Sequence, residues 1–157
     1  MAKYSWELVE ALRRTATRLE TGGGYRWSHF GQCNCGNLVQ TVTSLSPEEI
    51  QQVAYVGAGD WGVQAREYCI TSGYPLDYVF GQLFDMGMRP VDVQHLERLS
   101  DPQVLRVMGV ASLSHHRRDH VVRYMRAWAA LLEEQETARV QGSKNQDVLE
   151  DLPLAAE

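Results

Sequence analysis

Between one glycine or proline break and the next, the apolar residues of this chain recur every three or four positions. That spacing stacks side chains along one face of an α-helix, whereas a half-buried strand needs a period of two. Leu8, Leu12, Ala16 and Leu19 form the first stripe, and Gly22 follows to stop it. Leu38, Val39 and Val42 predict a short helix starting near Cys35. Ser46-Pro47-Glu48-Glu49 is a helix start, in which Ser46 caps, Pro47 suits the first position and Glu49 reaches back to the cap's amide. Ile50, Val53 and Ala54 give that helix its inner stripe.

Asp60 can cap a helix through Trp61, Ala65 and Tyr68. Pro75 opens one with Leu76, Val79, Phe80 and Leu83 that ends at Gly87, and Pro90 opens the next with Val93, Leu96 and Leu99. Ser100-Asp101-Pro102 begins a short helix that Gly109 closes. The last is the longest, with Val121, Tyr124, Met125, Trp128 and Leu132 on one face. No alternating run demands a strand. The expectation is an all-α, compact single domain of about six to seven helices, ending in a long C-terminal one.

A length of 157 residues suits one domain with a tail. The domain is placed at residues 3–136, and 137–157 is expected to be a disordered acidic tail. Charge is divided accordingly. Residues 1–132 carry 13 acids and 13 bases, whereas 133–157 carry seven acids against Arg139 and Lys144. A neutral domain offers no field for nucleic acid, so none is expected as a partner. The longest apolar run, Ala127 to Leu132, is too short to cross a bilayer. Glu7 and Glu10 interrupt the place of a secretory leader's apolar stretch, so the cytoplasm is the expected compartment.

One stretch, Trp27-Ser28-His29-Phe30-Gly31-Gln32-Cys33-Asn34-Cys35-Gly36-Asn37, concentrates uncommon residue types in a loop leading into a helix. His29, Cys33 and Cys35, with Cys69 as a fourth ligand, form a candidate metal set, because imidazole nitrogen and thiolate sulfur suit zinc. Alternatively Cys35, near a helix N-terminus, could be a nucleophile or redox thiol, with His29 as base and Asn37 orienting it. A third possibility is a core plug, with both cysteines buried and Asn34, Gly36 and Asn37 as turn and cap residues. A helical protein-interaction module would instead use Trp27 and Phe30, or the basic stretch from His115 to Arg126.

Two further patterns resemble binding motifs. Gly57, Gly59 and Gly62 satisfy G-x-G-x-x-G, but that turn cradles a dinucleotide only between a strand and a helix, so NAD or FAD is not expected. His116 and His120 stand at i, i+4, a spacing that could seat a metal, on an otherwise solvated basic helix face.

Asn34-Cys35-Gly36-Asn37-Leu38-Val39-Gln40 locally resembles the nucleophile helix of NlpC-type cell-wall peptidases, which pair it with a histidine-bearing sheet that no segment here predicts. From Trp61 to Trp128, Leu99-Ser100-Asp101, Leu105, Met108-Gly109-Val110, Leu113 and His115 resemble a sterile-alpha-motif interaction domain, with one or two extra residues before the final helix. Through about residue 135 the chain resembles a group of uncharacterised bacterial helical proteins sharing Trp27-x-His29-x-Gly31-x-Cys33-Asn34-Cys35-Gly36. That likeness implies a bacterial source and a compact helical domain, and carries over no catalytic role.

Overall fold

The structure, a computed structural model, describes residues 1–54, 59–67 and 76–150. These residues form eight helices and no strand: α1 (Trp6–Glu20), α2 (Asn34–Thr43), α3 (Pro47–Ala54), α4 (Trp61–Glu67), α5 (Leu76–Asp85), α6 (Pro90–Arg98), α7 (Pro102–Met108) and α8 (Arg118–Glu150). The all-α class follows from the sequence; the described residues hold eight helices where the pattern predicts about six to seven. None of the helices among the described residues is long and apolar enough to cross a membrane.

Side-chain acceptors start the helices as the sequence predicts. Ser46 Oγ accepts from the Glu49 amide at 3.1 Å while Glu49 Oε2 accepts from the Ser46 amide at 2.7 Å. Asp60 Oδ1 takes the Val63 amide at 2.9 Å, and Asp101 Oδ1 takes that of Gln103 at 2.8 Å. Each pairing satisfies an amide that the helix itself leaves without a partner. Gly87 (φ 103°) and Gly109 (φ 68°) end α5 and α7 in the left-handed region, which costs glycine little. Leu99 ends α6 with φ 52°, and its side chain, 1% exposed, is anchored in the core. Burial of that side chain offsets the left-handed strain of about 1–2 kcal/mol.

The two longest helices organise the core. α1 and α8 run antiparallel, as their ion pairs record: Arg13 meets Glu133 at 2.6 Å and Glu20 meets Arg126 at 2.6 Å. Along this pair Leu8, Leu12, Ala16 and Leu19 of α1 and Val121, Met125 and Leu132 of α8 are all fully buried. Trp61, Phe80 and Leu96 fill the other side of the same continuous core. Past residue 136 the backbone stays helical as far as Glu150, where the sequence suggests a tail without structure. Residues 137–144 are exposed, and Glu136 pairs with Arg139 at 2.7 Å across one turn. Alanine, glutamine, lysine and arginine there favour the helix without a core to pack against.

Candidate functional site

The loop from Thr21 to Cys33 is held against the bundle by two asparagines at the start of α2. Asn37 Nδ2 donates to the carbonyls of Gln32 at 2.7 Å and Cys33 at 3.1 Å, while its Oδ1 accepts from Arg18 Nη1 at 3.0 Å. Asn34 reaches the other way, donating to the Glu97 carbonyl at 2.8 Å and accepting from the Tyr25 hydroxyl at 2.8 Å. Both asparagines are fully buried. They satisfy backbone groups that a loop pressed into a core would otherwise leave unpaired. Two glycines permit the close approach: a Cβ on Gly31 would collide with the backbone of Pro47, and one on Gly36 with that of Phe30.

The three described members of the predicted ligand set face different partners. His29 Nδ1 accepts from the Gly31 amide at 3.1 Å and makes no hydrogen bond to either thiol. Cys33 is the N-cap of α2: its sulfur lies 3.5 Å from the Gly36 amide and 3.6 Å from the Phe30 carbonyl. Cys35 Sγ donates to the Val93 carbonyl at 3.3 Å on α6. Among the described residues no group of three or more His, Cys, Asp or Glu side chains is placed to hold a metal ion, and Cys69 lies outside them. Burial pushes the Cys33 thiol from its ordinary 9.0 up to about 12, and burial next to Glu97 and Cys33 raises Cys35 further from ionisation. Ligation or nucleophilic attack through either sulfur would require a thiolate, which this environment opposes.

What the loop builds at the surface is a cleft. Trp27, Ser28 and Phe30 from the loop, Asp60 and Trp61 at the start of α4, and Glu97 and Arg98 at the end of α6 enclose about 250 Å³ above Cys33. Phe30 meets Trp61 edge to face at 5.8 Å, and Trp61 Nε1 donates to the Phe30 carbonyl at 3.1 Å. On the rim Arg98 pairs with Asp60 at 3.0 Å and lies 5.6 Å over the Trp27 ring. Glu97, only 5% exposed, accepts from the Gly62 amide at 3.0 Å. No described cation lies within ion-pair distance of it, and burial followed by the nearby Asp60 charge raises its pKa above the carboxylate norm.

The sequence points to Trp27 and Phe30 but leaves out Glu97, Arg98 and the rim role of Asp60. The signal was present: Glu97 stands four residues after Val93 and one after Leu96, on the apolar face of α6. A carboxylate at a core position is uncommon without a partner or a task.

The histidine motif is divided by the fold. His115 and His116 precede α8 and pack at a tilt against Trp27, with ring centroids 4.4 and 4.9 Å away, whereas His120 Nδ1 accepts from the Ser114 amide at 2.9 Å. Of the basic residues following them, Arg117 pairs with Asp119 and Arg126 with Glu20. In the glycine pattern, Gly57 lies outside the described residues, Gly59 adopts φ 91° before α4, and Gly62 packs against Gln94 in its first turn. No family model, curated protein or solved structure matches the chain.

Proposed function

We propose that the chain is a helical binding module whose cleft receives a basic side chain from a protein partner. The observation that carries this reading is Glu97, a buried carboxylate lining an open aromatic cleft, hydrogen-bonded to the Gly62 amide, while the neighbouring Arg98 is ion-paired to Asp60 and not to it. Trp27 and Phe30 would flank the aliphatic stem of a lysine or arginine, and Glu97 would meet its charge. Arg98, already over the Trp27 face, supports the match between that ring and a planar cation. Large aromatic anchors around a small pocket with a charged rim are the anatomy of a protein-binding hot spot.

The test is a titration of isotope-labelled full chain with N-acetyl-lysine methylamide and N-acetyl-arginine methylamide, using the leucine analogue as control. The expected result is saturable shifts at the Trp27 indole, Ser28, Gly62 and Arg98 with the basic compounds only. Ser28→Trp, which blocks an exposed edge of the cleft, should abolish them. Equal shifts with the leucine compound, or none with either basic one, would overturn the proposal.

A further inference from the structure

A second recess, separate from the aromatic cleft, runs between the C-terminal half of α1 and the end of α2. It encloses about 700 Å³ and is lined by Arg13, Arg14 and Arg18, by the hydroxyl residues Thr17, Thr21, Thr41, Ser44 and Ser46, and by Gln40, Leu45 and Pro47. No carboxylate lines it. Glu133 holds Arg13 through both oxygens, Glu49 caps α3 through the Ser46 amide, and Glu10, one turn before Arg14 on α1, lines the neighbouring recess that Arg14 also borders.

Arg18 is the fixed charge of this groove. Its guanidinium donates to Asn37 Oδ1 at 3.0 Å, Gln40 Oε1 at 2.9 Å, the Asn37 carbonyl at 2.6 Å and Thr41 Oγ1 at 3.3 Å. All four acceptors are neutral, so a partly buried cation is held rigid without a counter-ion. Arg14, one turn earlier on α1, is exposed, and its fork has no ion-pair or hydrogen-bond partner among the described residues. Thr17 and Ser44 likewise present hydroxyls that donate to no described acceptor. Arg14 and Thr17 stand three positions apart and therefore share a helix face. The C-terminal ends of α1 and α2 each add some negative potential, a fraction of one charge apiece, against the guanidiniums of Arg14 and Arg18.

We infer that this groove binds the phosphoryl group of a small molecule. Arg14 would supply the bidentate fork, Thr17 and Ser44 the neutral donors, and Arg18 the fixed positive charge. Phosphate is the anion that matches such a set, because it offers several acceptor oxygens to a planar guanidinium and to flanking hydroxyls at once. The volume leaves room for an organic moiety beyond the phosphoryl group, since pockets of roughly 300–1,000 Å³ hold whole small ligands.

The experiment is calorimetric titration of the full chain with inorganic pyrophosphate at low ionic strength. Saturable binding at one site is expected, and Arg14→Gln should weaken it at least roughly tenfold, a loss of about one charge-assisted fork. Arg123→Gln on α8 makes the same change of charge elsewhere and should leave affinity within about twofold. Thr17→Val, which cannot unfold a buried site because Thr17 is exposed, should weaken binding several-fold. Absence of saturable binding overturns the inference, as does equal weakening by Arg14→Gln and Arg123→Gln. Ser28→Trp, which blocks the aromatic cleft, should leave pyrophosphate affinity unchanged; its loss would count against a separate site.

Discussion

Asn34 Nδ2 lies 2.8 Å from the carbonyl oxygen of Glu97, joining the first turn of α2 to the last turn of α6. The same nitrogen also approaches the Leu96 and His115 carbonyls, each at 3.3 Å, and the single proton of the Tyr25 hydroxyl faces both Asn34 Oδ1 at 2.8 Å and the His115 carbonyl at 2.6 Å. One buried amide thus ties together the loop, α6 and the approach to α8, the three segments that form and back the cleft. Its removal would strand carbonyls in a place water does not reach. Asn34→Ala is expected to destabilise the fold by about 2–4 kcal/mol, at the upper end for loss of a buried polar partner. Asn34→Asp should do comparable or greater damage, because it replaces the donor facing those carbonyls with an acceptor. Chemical denaturation of each variant checks the pair, and a loss below about 1 kcal/mol would contradict the role given to Asn34.

The glycines separate into two classes that composition does not distinguish. Gly31→Ala and Gly36→Ala each drive a methyl into backbone, of Pro47 and Phe30 respectively, and backbone cannot swing aside as a flexible side chain can. Each is expected to cost about 3 kcal/mol or more. Gly81 in α5 has nothing within 4 Å of the place its Cβ would occupy, so Gly81→Ala should stabilise by about 0.5–1 kcal/mol. Melting temperatures of the three variants give the comparison directly.

Helix positions were legible in the sequence because their causes are local. Ser46 and Glu49, Asp60, Asp101, Gly87 and Gly109 act within a few residues of themselves, and the stripes of α1 and α8 report their own buried faces. The concentration of unusual residues from Trp27 to Asn37 was legible too, but its chemistry was not. Whether Cys33 and Cys35 converge or diverge depends on the Phe30 and Val93 carbonyls, and Val93 lies 58 positions beyond Cys35. The place of Glu97 on the apolar face of α6 was legible, but its partner was not, since the Gly62 amide comes from another helix. Long-range acceptors leave no periodic trace in a single sequence.

Buried thiols make stability depend on alkaline pH. Cys33 titrates at about 12 in the folded chain and near 9.0 when exposed, so the unfolded state loses its proton first as pH rises. The contribution is complete below the unfolded value and is lost progressively between about 9 and 12. Cys35 shifts in the same direction and adds to the slope. Denaturation midpoints should therefore fall above pH 9, and Cys33→Ala should lessen the fall while lowering stability at neutral pH through the lost cap. Native protein should also react with a disulfide reagent at these two cysteines far more slowly than unfolded protein at pH 8.

Acid should loosen the wall behind the cleft. His115 packs at a tilt against Trp27 with ring centroids 4.4 Å apart, and burial, then His116, then Arg98 lower its affinity for a proton. The unfolded state accordingly takes up the proton first as pH falls. The stabilisation from neutral His115 is fully present above its ordinary value of 6.5 and is lost as pH drops through the lower folded value. Because His115 is partly exposed, solvent screens the effect, and local loosening rather than global unfolding is the expected outcome. Trp27 fluorescence should change between pH 7 and pH 5 with His115 as the principal switch. His115→Gln, which keeps a planar polar side chain but cannot gain a proton, should flatten that change while sparing the alkaline transition of the thiols. An unaltered acid profile in His115→Gln would show that the charge governing Trp27 resides elsewhere, with His116 the next group to replace, since its ring lies 4.9 Å from the indole.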